Sequence, residues 1–86
     1  MINFKQQELI DDLMDRIKAK YPEVELIEIA ESPEDPESLW VKVTAPDDED
    51  REIEMRQFGN ERAFDILLDY GYHMMVMPMQ GREKAA

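Results

Sequence analysis

The amino-acid sequence predicts an α+β fold: a two-layer domain with the order α-β-β-α-β, in which both helices cover one face of a three-stranded mixed sheet. Two observations support this fold class. Apolar residues recur at steps of three and four in two long stretches, which is the spacing of a buried helix face, and three short apolar stretches separate or follow them. A helix that joins the second and third strands returns the chain in parallel, so the sheet contains parallel and antiparallel pairs.

The length and composition set the limits of this fold. A chain of 86 residues supports one hydrophobic core, so we predict a single domain over residues 1–86, of which 81–86 form a polar tail. Hydrophobic residues make up 43% of the chain, and this share favours folding over disorder. The sequence has no cysteine, which excludes disulfides and thiolate chemistry and is typical of a reducing compartment, so we expect a cytoplasmic protein.

The charge of the chain excludes several partners. Ten basic and 21 acidic residues give a net charge of -11, which repels nucleic-acid phosphates and anionic membranes. The basic residues are scattered among carboxylates, so they form no patch that would overcome this repulsion. No apolar stretch reaches the roughly 18 residues that are needed to cross a bilayer. We therefore expect a small acidic protein that binds neither nucleic acid nor membranes.

The first helix is predicted to begin after Asn3 and to end near Tyr21. Asn3 and Gln6 are spaced as a capping box, in which the side chain of each residue bonds the backbone amide of the other. Pro22 disfavours a helical conformation of the residue before it, so it ends the helix. The apolar residues predicted to face the core are Leu9, Ile10, Leu13, Met14, Ile17 and Tyr21.

Two strands separated by an acidic loop are predicted next. Residues 24–30 are rich in β-branched side chains, but Glu25 and Glu28 interrupt them, which indicates a strand toward the sheet edge. Residues 31–38 contain two prolines and four carboxylates and form the loop. The second strand, Leu39–Thr44, alternates strictly between its two faces. Its core side is predicted to carry Leu39, Val41 and Val43, and its outer side Trp40, Lys42 and Thr44.

A long second helix is predicted from about residue 47 to residue 70. The carboxylates at 47–50 suit a helix start, because they cap free amides and lie at the positive end of the helix dipole. Residues 51–58 also alternate well enough for a strand, so a hairpin that turns at Gly59 and Asn60 is the alternative to a continuous helix. The inner side of the helix is predicted to carry Met55, Gly59, Ala63, Ile66, Leu67 and Tyr70.

The last strand carries the strongest apolar signal of the chain. We predict that Gly71 ends the second helix in the left-handed conformation and that the strand covers residues 72–79, with Pro78 at its end or on a free sheet edge. Side chains of a strand alternate between two faces, yet this strand is apolar on both. Because both helices lie on one face, the other face is a candidate interface. Its predicted residues are Trp40, Met75, Met77 and Met79.

The order and spacing of the elements carry a family resemblance. The segments that carry it are the helix 9–21, the strand that ends at Glu31 and Ser32, the acidic loop to Ser38, the strand Leu39–Thr44, and the helix end and following strand at 66–77. Together these segments resemble the small nucleotidyltransferase domains of the DNA polymerase β type. The resemblance lies in spacing and apolar pattern, and it covers about residues 9–79.

The residues that carry out catalysis in that family are replaced here. A Gly-Ser pair ends the family's first strand, whereas Glu31 and Ser32 stand in this chain. A serine followed by an Asp-x-Asp pair opens the family's second strand, whereas Ser38 is followed here by Leu39, Trp40 and Val41. The last strand offers no acidic residue either. Magnesium and nucleotide phosphates need carboxylate ligands at such sites, so the resemblance implies a catalytically inactive relative.

Two acidic clusters and the only histidine have a functional and a structural interpretation. The carboxylates at 34–37 and 47–50 could hold calcium or magnesium, but neither cluster follows the EF-hand spacing, which favours a solvated loop and a helix cap. His73 could act in catalysis, but it has no cysteine or serine partner in a recognisable motif, which favours a hydrogen-bonded histidine at a strand end. We therefore predict no catalytic, cofactor-binding or metal-binding residues.

These features predict a non-catalytic protein-interaction domain that associates through an apolar sheet face, since exposed apolar patches of several hundred Å² usually mark interfaces. The expected partner is another protein or a second copy of the chain, and no cofactor is expected. Two alternatives stay open. One is an acidic mimic of nucleic acid that binds a basic groove, and the other is an active nucleotidyltransferase whose ligands lie elsewhere in the chain.

Overall fold

The computed structural model describes residues 2–79, which contain two helices and three strands. In chain order they are α1 Phe4–Lys20, β1 Leu26–Glu31, β2 Leu39–Thr44, α2 Glu49–Tyr70 and β3 Met74–Met79. The predicted order α-β-β-α-β and the α+β fold class are confirmed. The predicted tail at 81–86 lies outside the described residues.

The three strands form one mixed sheet in the order β1-β2-β3, with β2 at its centre. β1 runs antiparallel to β2, and β3 runs parallel to β2 because the chain returns through α2. Val41 lies beside Val76 in the paired strands, so the inward side chains of β2 and β3 form continuous rows. Both helices cover this inner face, as predicted.

The capping box at the start of α1 is present as predicted. The Gln6 amide donates to the Asn3 side chain at 2.7 Å, and the Asn3 amide donates to the Gln6 side chain at 2.9 Å. Tyr21 caps the other end of the helix, and its amide donates to the Ile17 carbonyl at 2.7 Å. All residues predicted for the inner side of this helix are buried: Leu9, Ile10, Leu13, Met14, Ile17 and Tyr21.

Three strand boundaries differ from the prediction, and one of them is the end of β1, which lies at Glu31 rather than at Ala30. β1 begins at Leu26 rather than at Val24, because the Val24 amide donates to the Tyr21 carbonyl at 3.0 Å in the turn after α1. Val24 is nevertheless part of the core. β3 begins at Met74 rather than at residue 72. The predicted position of β1 at a sheet edge is correct, and a β-bulge after Leu26 interrupts its pairing with β2.

The second helix, α2, is continuous, so the hairpin alternative is wrong. Its start lies close to the prediction: Asp48 is the N-cap, and its carboxylate accepts a hydrogen bond from the Arg51 amide at 3.1 Å. Gly71 ends the helix with a φ of 79°, the left-handed region that favours glycine. On the predicted inner side, Leu67 is only partly buried and Tyr70 is exposed, with its ring under the Lys5 ammonium.

Gly59 allows α2 to lie close to the sheet. A Cβ atom added at this position would be 3.1 Å from Cδ1 of Ile17 and 3.1 Å from Cγ2 of Val76. Both distances are shorter than ordinary van der Waals contacts, so any side chain at position 59 requires its neighbours to move. Glycine costs about 1 kcal/mol relative to alanine in a helix interior. Here it stands where α1, α2 and β3 meet.

Candidate interaction surface

The outer face of the sheet brings together the four residues that were predicted as an interface. Trp40 lies beside Met75 in the paired strands, and Met77 and Met79 continue the same face along β3. Ala30 flanks Trp40 on the side of β1. Because both helices pack on the opposite face, these four residues form one apolar group, which we call the outer-face cluster: Trp40, Met75, Met77 and Met79.

Neighbouring residues of β3 show how different the two faces are. Met74 and Val76 face the helices and are 5% and 1% exposed, so their predicted role in the core is confirmed. Met75 stands between them in the chain and is 43% exposed. Trp40 and Met77 are partly buried by their neighbours on the sheet. The outer-face cluster is therefore accessible to solvent, although its residues are as apolar as those of the core.

The electric charge of the outer face is balanced. The Lys42 ammonium lies 3.1 Å from the Glu28 carboxylate, and these two residues face each other across β1 and β2. The same ammonium lies 5.8 Å from the centroid of the Trp40 ring, within the range of a cation–π interaction. The rest of the chain therefore carries the whole net charge of -11. A surface with tryptophan, methionine and few charges has the composition of an interface core.

A groove between α2 and β3 extends the apolar surface beyond the cluster. It has a volume of about 430 Å³ and is lined by Arg56, Asn60 and residues 74–78. Met75 and Met77 belong both to this groove and to the outer-face cluster. The apolar surface therefore continues from the outer face around the edge of β3.

The free edge of β3 is closed by a side chain of α2. The Val76 amide donates to Oδ1 of Asn60 at 2.8 Å, and Nδ2 of Asn60 donates to the Val76 carbonyl at 3.2 Å. Nδ2 of Asn60 also donates to the Arg56 carbonyl at 3.0 Å, which fixes the orientation of the amide. Pro78, the next position that faces this edge, has no amide hydrogen. Asn60 and Pro78 together prevent another strand from pairing with β3.

A chain of polar groups connects the acidic loop to the start of β3. The Ser38 hydroxyl donates to the Asp35 carboxylate at 3.1 Å and lies 2.8 Å from Nδ1 of His73. With this hydroxyl hydrogen directed at Asp35, the Nδ1–H tautomer of His73 is the one that donates to the Ser38 oxygen. The predicted hydrogen bond of His73 is confirmed, but its partner is a serine 35 residues away rather than a local group. In serine hydrolases the histidine lies between the serine and the carboxylate. Here the serine lies between the other two, so the order of groups in that triad is not reproduced.

The two acidic clusters have structural roles, as predicted. Asp48 caps α2, and a carboxylate oxygen of Asp35 accepts a hydrogen bond from the Glu37 amide at 3.1 Å within the loop. Within residues 2–79, no three His, Asp or Glu side chains lie close enough together to share a metal ion.

The groups with shifted pKa values lie on or beside the helices. A hydrogen bond from Arg16 lowers the pKa of Asp12, and a hydrogen bond from Arg51 lowers the pKa of Glu23. Burial raises the pKa of the Tyr21 phenol. These groups belong to the layer opposite the outer-face cluster, so their titration is expected to act on the packing of the helices.

A second pair of exposed apolar side chains lies on α2. Phe64 and Leu68 are 57% and 66% exposed and stand one helical turn apart. We call them the α2 pair. The helical period places both residues away from the inner side of α2, so the sequence already carries the signal for an exposed apolar pair.

Comparison with known proteins gives no family for this chain. No protein-family model, curated protein sequence or solved structure matches it significantly. Within residues 2–79, neither helix is both long enough and apolar enough to cross a membrane. A function has to be inferred from the surface of the domain itself.

Proposed function

We propose that this protein works by association rather than catalysis, and that a second copy of the chain binds its outer sheet face. The observation that carries this proposal is the outer-face cluster, which is apolar, accessible and located opposite both helices. Exposed apolar patches on soluble domains mark interaction sites, most clearly when they exceed a few hundred Å². Methionine suits such a site, because its flexible thioether side chain adapts to a partner surface.

The distribution of charge favours a face-to-face dimer. The outer face carries the balanced pair of Lys42 and Glu28, so the acidic residues lie mainly on the helices and loops. In a two-fold dimer with sheets about 10 Å apart, the helices of both copies lie on the outside. Charges separated by more than about 8 Å are largely screened at physiological salt. The net charge of -11 on each copy therefore weakens this dimer without preventing it, and added salt should strengthen it.

The size of the outer face predicts a weak dimer. Three strands of six residues cover a face of roughly 14 by 20 Å, or about 280 Å². A standard interface buries about 800 Å² on each partner. Burial of each methionine or tryptophan contributes about 1.5–3 kcal/mol before the costs of association. We expect a dissociation constant on the order of 100 µM.

Kinship with an inactive nucleotidyltransferase domain is compatible with this proposal. When the helices and strands are matched in order to those of the family, Leu39 and Val41 occur at the positions of the family's metal-binding carboxylates. Both residues are buried in the core between the sheet and the helices. A carboxylate at either position would be buried among apolar side chains, which costs several kcal/mol unless a partner compensates the charge. This environment supports a relative that has lost catalysis, and association is then the function that remains.

The double variant Met75→Glu with Met77→Glu tests the proposed dimer. It places two carboxylates on the outer face, where they would meet their symmetry mates and repel them. The matched control is Phe64→Glu with Leu68→Glu, which makes the same change of charge and of apolar surface on α2. Sedimentation equilibrium should show a concentration-dependent dimer for the wild type and the control, and a monomer for the outer-face variant. Far-UV circular dichroism checks that both variants fold.

Trp40 provides a second measurement, because it is the only tryptophan and belongs to the outer-face cluster. Its fluorescence emission should shift to shorter wavelength as the wild-type protein is concentrated, and should stay constant in the outer-face variant. A wild-type protein that stays monomeric above the expected dissociation constant would refute the proposal. A dimer that is lost only in the Phe64 and Leu68 variant would assign the contact to the α2 pair instead.

A further inference from the structure

The two edges of the sheet differ, because only one of them is closed. The edge of β3 is closed by Asn60 and Pro78. β1 forms the other edge, and within residues 2–79 no strand pairs with its outer side. Any further strand that joins the sheet must therefore lie beside β1.

The hydrogen bonds between β1 and β2 show which backbone groups face the open edge. The Ser32 amide donates to the Ser38 carbonyl at 2.9 Å, so the backbone groups of Ser32 face β2. The direction of the backbone N–H and C=O groups alternates from residue to residue along a strand. The backbone groups of Ala30 therefore also point toward β2, whereas those of Ile29 point away from it. The N–H and C=O groups of Ile29 therefore lie at the open edge, where an added strand would find a donor and an acceptor.

The exposed side chains at this edge are apolar or acidic. Leu26 and Ile27 are 40% and 48% exposed and provide apolar contacts. Glu28 and Glu31 are exposed on the same strand. The segment 22–38 contains seven carboxylates and neither lysine nor arginine. A strand beside β1 would therefore run past acidic side chains along its whole length.

The negative charge along β1 favours a positively charged partner strand. Lys18 contacts Glu25 and Lys42 contacts Glu28, but both carboxylates are exposed to solvent, so these ion pairs are weak. Two copies of β1 paired with each other would bring like charges together across the strands, which is destabilising. A segment that carries lysine or arginine gains attraction at the same positions. We infer that the edge of β1 binds a basic, extended segment of another protein by strand addition.

A synthetic peptide that alternates valine and lysine is a suitable probe. About eight residues at about 3.3 Å each span the six residues of β1. Fluorescence anisotropy of the labelled peptide, titrated with the full chain, should show saturable binding. One control peptide alternates valine and glutamate, and a second is the lysine peptide with a proline in place of its central valine, which keeps the charge but cannot complete the hydrogen bonds. Both controls should bind at least about tenfold more weakly.

Two triple variants separate the edge from the overall charge. The first removes three charges from β1 and the turn before it: Glu25→Gln, Glu28→Gln and Glu31→Gln. The second removes three charges from the exposed side of α1: Glu8→Gln, Asp11→Asn and Asp15→Asn. Facing opposite charges contribute roughly 1.5- to fivefold each in affinity, so the β1 variant should bind the lysine peptide about tenfold more weakly. The α1 variant should stay within about threefold of the wild type, because its charges are screened from the edge.

Amide NMR shifts locate the contact. The Ile29 amide should shift and become protected from hydrogen exchange when the lysine peptide binds, whereas the Val76 amide should not, because it is already bonded to Asn60. Equal weakening in the two triple variants, tight binding of the proline peptide, or shifts confined to the outer-face cluster would each overturn the inference. The first two results concern the edge alone and leave the proposed dimer untouched, because the dimer uses the face of the sheet, whereas the third would place the peptide on that face.

Discussion

At neighbouring positions of β2 and β3, the inner and outer faces of the sheet both carry apolar residues, but their environments are opposite. On β3, Met74 is buried under the helices while Met75, the next residue, stands on the open face. On β2, Val41 belongs to the core while Trp40 stays partly accessible. The exposure of each side chain is decided by the layer that covers its face, since the hydrophobicity of the two sets is comparable. An apolar sheet face that no helix covers within the described residues is therefore a candidate site for binding another protein chain.

Substitutions at adjacent positions of β3 should give the largest difference in stability between the two faces. Val76→Asp buries an unpaired carboxylate in the core, which costs several kcal/mol and should leave a domain of this size largely unfolded. Met75→Asp places the same group on the solvent side and should lower the free energy of unfolding by about 1 kcal/mol or less. Urea unfolding followed by far-UV circular dichroism, at concentrations well below the dimer range, measures both. Equal losses in the two variants would mean that the outer face is covered as completely as the inner one.

The helices and the outer-face cluster could be predicted because local patterns determine them. The capping box of Asn3 and Gln6 needs only residues within one turn, and it formed as expected. The cluster followed from the period of two along β2 and β3, and the parallel register places Trp40 beside Met75. The start of β1 could not be predicted, since the amide of Val24 is used in a turn that leaves no periodic signal.

The closed edge of β3 could not be predicted, because it depends on a tertiary contact. Gly59 and Asn60 are residues that turns favour, so the sequence alone left a hairpin open at this point. In the folded domain, Gly59 lets α2 approach the sheet closely. This approach brings Asn60 within hydrogen-bond distance of the Val76 backbone. Neither role is visible until the helix is placed against the strand.

Substitutions of Gly59, on the inner side of the sheet, should have an intermediate effect on the free energy of unfolding. In Gly59→Leu the side chain meets Ile17 and Val76 at once, and overpacking of this kind costs typically 1–3 kcal/mol. In Gly59→Ala, the gain of about 1 kcal/mol in helix propensity offsets the closer contact of one methyl group, so the change should stay within about 1 kcal/mol. Urea midpoints of the two variants give the measurement. A leucine variant as stable as the wild type would show that α2 can move away from the sheet at no cost.

The smallest effect is expected on the solvent side of the helices, where Asp12 joins α1 to α2. Its carboxylate lies 2.9 Å from Nε of Arg16 and 3.1 Å from a guanidinium nitrogen of Arg62. The hydrogen bond from Arg16 is the main reason that the pKa of Asp12 is lowered, and Arg62 adds to it against a partial desolvation. Asp12 is 44% exposed as a side chain, so solvent screening limits the contribution of these contacts to about 1 kcal/mol or less.

The pH dependence of Asp12→Asn tests whether ionic contacts matter to this layer. Because folding lowers the pKa of Asp12, its contribution is complete above the unfolded-state pKa, about 3.9, and is lost as the pH falls through the lower pKa of the folded state. The wild type should therefore unfold at a higher urea concentration than the variant at pH 7, and the difference should vanish in acid and shrink in high salt. Asp15→Asn is the control, since Asp15 lies on the same helix and forms no ion pair within residues 2–79. If both variants change stability equally at pH 7, Asp12 acts only through its share of the negative charge, and its contacts with Arg16 and Arg62 add nothing to the stability of the domain.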